Sequence, residues 1–210
     1  MSPSRIFLNF IKLALGTGAA VAISIFGTLS LSYCRSDAPS GGPGMIVTFV
    51  STIEGTHIYF DKSTLPDGRE FPNGGSIGYA KDPLNGGKTE GAAPDGRQLP
   101  EYVDFSWQEV PNDTRPEEPI ENKKYWEQRL AYMRTLPIKH ERVPIRSRIP
   151  PEIIDEVVES NRRKKPGKLS DKALWVYFIW TKQGIKFHWR LWYRPEVGPD
   201  SYPSEGGDDL

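Results

Sequence analysis

Apolar and polar positions divide the chain into a long uncharged run near the N-terminus and a body of shorter segments. No charged residue lies within the 22 residues from Leu13 to Cys34, and Arg5 and Lys12 precede them. A helix of that length rises about 33 Å, which is enough to cross a hydrocarbon core of about 30 Å. A basic start before an apolar run is also typical of a secretory signal. We therefore expect residues 1–34 to be a signal or membrane-anchor segment, with Arg5 and Lys12 in the cytoplasm and the body exported.

The residues at the end of this run leave three forms of the N-terminus open. Residues 35–44 form a linker rich in proline, glycine and serine, which disfavours a buried core helix before it. Leu31-Ser32-Tyr33-Cys34 resembles a bacterial lipobox with Cys34 as the lipidation candidate, although Tyr33 stands where a small residue is usual. Cleavage at the small-x-small site Ser30-Leu31-Ser32 and an uncleaved anchor are the alternatives. Each form places the body, residues 45–195, outside the cytoplasm, in the periplasm.

The most regular pattern of the body lies near its end. Residues 174–180 are apolar on both faces, which is typical of a central strand that is covered on two sides. After the turn at 181–184, apolar residues at odd positions alternate with mostly polar residues at even positions as far as Arg194. This pattern predicts a β-hairpin whose second strand has one core face and one basic, solvent-facing face.

Earlier segments predict further strands. Residues 45–50 are β-branched and aromatic, and residues 57–61 are a plausible partner strand for them. Residues 102–110 alternate in the manner of a half-buried strand. Residues 139–148 alternate basic and apolar side chains, and Pro144 favours an edge strand because proline cannot donate to a ladder.

Two segments predict helices. Trp126, Leu130 and Met133 are spaced i, i+4, i+7 within residues 121–135, and Pro150-Pro151 begins a second helix with an apolar face. Residues 196–210 are acidic, and we expect a disordered tail. The fold class is therefore α+β: a mainly antiparallel β-sheet with two amphipathic helices packed against it, preceded by an N-terminal membrane or signal helix.

Composition and motifs exclude several classes of function. The chain has 27 basic and 27 acidic residues, which argues against a nucleic-acid partner. A single cysteine excludes an internal disulfide and a cysteine-based zinc site. Three scattered histidines point to no metal, and no cofactor is expected. The Gly-x-Ser-x-Gly pattern around Ser76 would need a helix after it, which Lys81-Asp82-Pro83 prevents. We assign no catalytic residue and expect a protein that is not an enzyme.

The outer face of the C-terminal hairpin carries the candidate partner-binding residues. In period-2 geometry this face combines cations with an aromatic ring: His188, Arg190, Trp192 and Arg194. Arginine and aromatic residues dominate the hot spots of protein interfaces. An anionic lipid head group or a protein partner therefore suits this face better than a nucleic acid does.

Several short features follow the export signal with Cys34 in a fixed order. They are Gly-Gly pairs at 74–75 and 86–87, the segment Leu99–Trp107, the proline-initiated helix Ile149–Ile154 and the strand–turn–strand around Gly184. This order resembles a family of uncharacterised bacterial envelope lipoproteins that includes immunity proteins against type VI secretion lipase effectors. The resemblance implies a membrane-anchored, non-enzymatic periplasmic protein that binds and neutralises a secreted lipase-type toxin. A structural envelope lipoprotein and an envelope hydrolase using Ser76 are the alternatives.

Overall fold

The strands of the body form two sheets rather than the single sheet that the sequence predicts. The structure, a computed structural model, describes residues 42–90, 98–112, 123–164, 170–195 and 197–210. Sheet A has the order β4-β1-β7-β8-β9 and contains β1 (Ile46–Ser51), β4 (Lys88–Glu90), β7 (Lys172–Thr181), β8 (Gly184–Tyr193) and β9 (Ser201–Gly207). Sheet B has the order β3-β2-β5-β6 and contains β2 (Thr56–Thr64), β3 (Ser76–Ile77), β5 (Tyr102–Pro111) and β6 (Lys139–Pro144).

The pairing of β1 differs from the expected one. β1 runs parallel to β7, with Val47 opposite Val176, whereas all other paired strands of both sheets are antiparallel. β2 pairs with β5 in sheet B, so the expected pairing of β1 with β2 is wrong. The burial of the two strands fits this separation: β1 is covered on both faces in sheet A, whereas β2, which lies between β3 and β5, exposes Asp61 and Lys62 to solvent.

The inner faces of the two sheets pack against each other through aromatic side chains. They include Phe49, Phe60, Phe105, Phe178, Trp180 and Phe187. The ring of Phe105 lies 4.8 Å from that of Phe178 and 5.3 Å from that of Trp180, measured between centroids. These edge-to-face contacts join β5 of sheet B to β7 of sheet A. The main core therefore lies between the sheets.

The two α-helices of the described part make different contacts with the sheets. Helix α2 (Pro151–Arg163) begins with proline in its first turn, as expected, and buries Ile153 and Val157 in the main core. Helix α1 (Lys123–Met133) exposes Trp126 and Leu130 by 45% and 50%. The expected packing of its apolar stripe is therefore wrong.

Polar side chains hold helix α1 on sheet B instead. Gln108 on the outer face of β5 donates hydrogen bonds of 2.7 Å and 2.9 Å to the main-chain oxygens of Met133 and Leu136. Arg129 is buried, and its Nη2 donates to the Tyr59 hydroxyl at 3.1 Å. These bonds hold the helix through Arg129 and its C-terminal end, while Trp126 and Leu130 stay exposed.

The C-terminal residues form a strand, so the expected disorder of residues 196–210 is wrong for 201–207. β9 pairs antiparallel with β8, with Glu205 opposite Arg190. Gly206 packs against the ring of Trp189, and Gly207 has a φ of +125°, which favours glycine. Acidic residues suggested disorder because their charges lack partners in the local sequence, but β8 and its neighbours supply cations for them.

The segment proposed as a signal or anchor, residues 1–34, lies outside the described residues, as does most of the linker at 35–44. Within the part of the chain that the structure describes, no helix combines the length and apolarity needed to cross a membrane. The first strand of the described part is β1, which begins at Ile46.

Candidate functional site

The two faces of β8 alternate as the sequence predicts. Ile185, Phe187 and Trp189 are buried in the main core together with Leu191. The outer face carries the even-numbered residues, and Arg194 follows directly after the strand. The structure therefore brings the four candidate residues to one side of sheet A, but their environments differ.

His188 is buried rather than solvent-facing, with 7% of its surface exposed. Its ring lies 6.1 Å from that of Tyr177 on β7, and its Nε2 atom lies 3.7 Å from a carboxylate oxygen of Glu205 on β9. Burial lowers the pKa of His188 below its usual 6.5, against the opposing effect of Glu205. The imidazole is therefore neutral at pH 7 and belongs to the packed face of the sheet.

Arg190 is occupied by the chain's own C-terminal strand. Its Nε atom lies 3.0 Å from Glu205 Oε2, and its guanidinium lies 3.8 Å from the ring centroid of Tyr202. These cation–π and charge contacts hold β9 on β8. Arg190 thus helps to hold β9 in place within the protein itself.

Trp192 and Arg194 share one acidic neighbour. Trp192 Nε1 donates to Asp200 Oδ2 at 3.2 Å, and Arg194 Nε donates to Asp200 Oδ1 at 3.2 Å. The guanidinium of Arg194 lies 4.7 Å from the ring centroid of Trp192. The hydrogen bond from Arg194 lowers the pKa of Asp200, which keeps the carboxylate ionised at neutral pH. Trp192 is partly exposed and Arg194 is exposed.

A cavity of about 450 Å³ opens beside these two residues, where β7 begins and β8 ends. Its wall is mostly apolar and includes Met45, Ile46, Leu174, Trp175, Trp192 and Tyr202. The rings of Trp175 and Tyr202 meet edge to face, with centroids 6.4 Å apart. Sequence reasoning found Trp192 and Arg194 from the alternation of β8. It missed Met45, Trp175 and Tyr202 because they belong to three other strands or strand ends.

Most polar side chains of the cavity wall are paired with protein groups, whereas the buried Nε1 of Trp175 has no hydrogen-bond partner among the described residues. Lys172 Nζ donates to Glu156 on helix α2, and Arg194 pairs with Asp200. Asn161 Nδ2 donates to the main-chain oxygen of Pro43 at 2.7 Å. Among the described residues, both cations of the wall therefore have carboxylate partners.

Side chains that could serve in hydrolysis lie apart from this cavity. Ser76 occupies β3 and is followed by a loop, so the strand–turn–helix of a nucleophile elbow is not formed around it. Ser106 lies in a second cleft, on sheet B, and donates its hydroxyl proton to Asp61 Oδ2 at 2.9 Å. His140 faces Ser106 across β5 and β6, but the hydroxyl is bound to a carboxylate rather than to the imidazole. Among the described residues, no group of three or more potential ligand side chains could hold a metal ion.

Comparison with known proteins adds no further guide to this site. No protein-family model, curated protein or solved structure matches the chain. The cavity and the residues that line it are therefore the basis on which a function can be argued.

Proposed function

We propose that this protein is a non-enzymatic binding protein of the bacterial cell envelope, tethered to the membrane by residues 1–34, with its body in the periplasm. The observation that carries the binding role is the aromatic cavity beside Trp192 and Arg194. Its volume of about 450 Å³ falls within the usual range of ligand pockets, about 300–1,000 Å³. A concave, apolar wall with a few placed polar groups is the usual form of such sites.

The chemistry of the cavity favours a protein partner. Tryptophan, tyrosine and arginine are enriched at interface hot spots, and the wall supplies Trp175, Trp192, Tyr202 and Arg194. These side chains come from sheet strands and their ends, which hold them in place. Little conformational entropy is then lost on binding.

The most specific form of this function is immunity against a secreted lipase-type toxin, in which the body binds the toxin and blocks it. The support for this form is the resemblance of the sequence features to envelope lipoproteins of that kind. A structural envelope lipoprotein without a soluble partner is the alternative, and a hydrolase using Ser76 is a third. A Ser76→Ala variant that loses its cellular phenotype would favour the hydrolase.

We expect Trp192→Ala to weaken partner binding by about 2 kcal/mol or more, because truncation removes an aromatic anchor from the cavity wall. The partner is first captured from envelope extract and identified, and its affinity for each variant is then measured. The free energy of unfolding of each variant is measured separately in urea. Trp126→Ala, which removes an equally large side chain from helix α1, is the matched control and should leave affinity unchanged. A loss of about 3 kcal/mol in stability with Trp192→Ala would instead assign Trp192 to the core and contradict the proposal.

If residues 1–34 attach the protein to the membrane, the protein is found with membranes. The attachment depends on Cys34 only if Cys34 carries a lipid. Fractionation of cells should place the protein with membranes. Cys34→Ser should release it if Cys34 carries a lipid, and should leave it bound at full mass if the apolar run remains as an anchor. Wild-type protein in the cytosol would contradict both forms of the tether.

A further inference from the structure

We propose that the cavity receives one uncharged aromatic side chain from the protein partner. This inference rests on the proposed function and names the chemistry of the group that the partner inserts. It follows from the shape of the aromatic wall and from the balance of charges around it.

The aromatic wall favours an aromatic occupant over an aliphatic one. Trp175 and Tyr202 stand edge to face across one side of the cavity, and Trp192 forms another part of the wall. A ring placed among these side chains gains edge-to-face or offset contacts in addition to the burial of its area.

The charges of the wall favour an uncharged occupant. Lys172 is paired with Glu156, and Arg194 is paired with Asp200. An anionic ligand would have to displace one of these carboxylates or be buried without a full partner, and a cationic ligand would have to displace a protein cation. Burial of an unpaired charge is costly, so ligands of either charge are disfavoured.

A small residue, Ala173, borders the space that the occupant would fill. Ala173 lies directly opposite Trp192 across β7 and β8 and lines the cavity. A larger side chain at Ala173 would fill space that the ligand needs without removing any aromatic group. This makes Ala173→Leu a second, independent variant for testing occupancy.

The experiment is a titration of the full chain with four small probes. Binding is monitored through the indole N–H signals of the protein's tryptophans in NMR spectra. N-acetyltryptophanamide is uncharged, N-acetyltryptophan is an anion, tryptamine is a cation and N-acetylleucinamide is aliphatic. We expect the uncharged tryptophan probe to bind at least tenfold more tightly than either charged probe and several-fold more tightly than the leucine probe. Trp192→Ala and Ala173→Leu should each weaken its binding at least fivefold, and Trp126→Ala should not.

Two results would overturn the inference: tighter binding of a charged probe, or binding of the uncharged probe that neither cavity variant changes. Absence of binding by all four probes would overturn it as well. The proposed function would still hold in that case if the wild-type protein captures an envelope protein and the Trp192→Ala variant does not. Conversely, probe binding without any captured partner would contradict the proposed function and not the chemistry of the cavity.

Discussion

Phe105→Ala is expected to lower the free energy of unfolding by about 3–5 kcal/mol, because it opens a cavity where the two sheets meet. Phe105 is 1% exposed, and its ring contacts those of Phe178 and Trp180 on sheet A and Phe60 on sheet B. The removed ring leaves a space that well-packed neighbours fill only in part. The lost stability therefore has two parts: the hydrophobic free energy of the buried ring and the cost of the cavity that remains.

Urea denaturation monitored by circular dichroism measures this effect. Tyr79→Ala is the matched control, since Tyr79 is an aromatic residue with 47% of its surface exposed, and its loss should change stability by less than about 0.5 kcal/mol. A loss below about 1 kcal/mol for Phe105→Ala would contradict the packing of sheet A on sheet B. It would not bear on the cavity beside Trp192.

Gly207→Ala is expected to detach β9 from β8 and to lower the free energy of unfolding by about 2 kcal/mol or more. A Cβ atom at this position would lie 2.3 Å from the main-chain oxygen of Phe187, and the φ of +125° is a conformation that side chains rarely adopt. Because the contact is with backbone, it cannot be relieved by a change of rotamer. The strand itself has to move.

Hydrogen exchange of the amides in residues 201–207 measures the detachment, which should appear as loss of their protection. Gly198→Ala is the matched control: its φ is +116°, but the nearest atom to an added Cβ lies at 3.6 Å. It therefore carries the backbone strain without the clash. Equal loss of protection in both variants would assign the effect to strain and contradict the proposed close approach of β9 to β8.

The position of β9 also matters for the candidate site. Asp200 and Tyr202 line the cavity, and Tyr202 is held by Arg190. Asp208 anchors the far end of the tail through Arg148 and the Phe187 amide. Burial alone would raise the pKa of Asp208, but these hydrogen bonds outweigh it and lower the pKa. The tail is thus part of the structure that forms the site.

Local patterns in the sequence predicted most elements that their own residues determine. The alternation of residues 185–194 identified the inner and outer faces of β8, and the prolines at 150–151 identified the start of helix α2. Both features depend on neighbours within one strand or one helical turn. The α+β class and the two helices could be inferred for the same reason, and the sheets are mostly antiparallel as predicted, but the partner of each strand did not follow from local pattern.

Contacts between distant segments decided the rest. The sequence showed that His188 lies on the outer face of β8, but β7 and β9 determined that this face is buried at His188. It placed Trp192 at the candidate site, but the cavity exists only because Trp175, Tyr202 and the start of β1 meet there. A periodic pattern specifies the direction of a side chain. What covers that side chain depends on segments far away along the chain, which local periodicity does not encode.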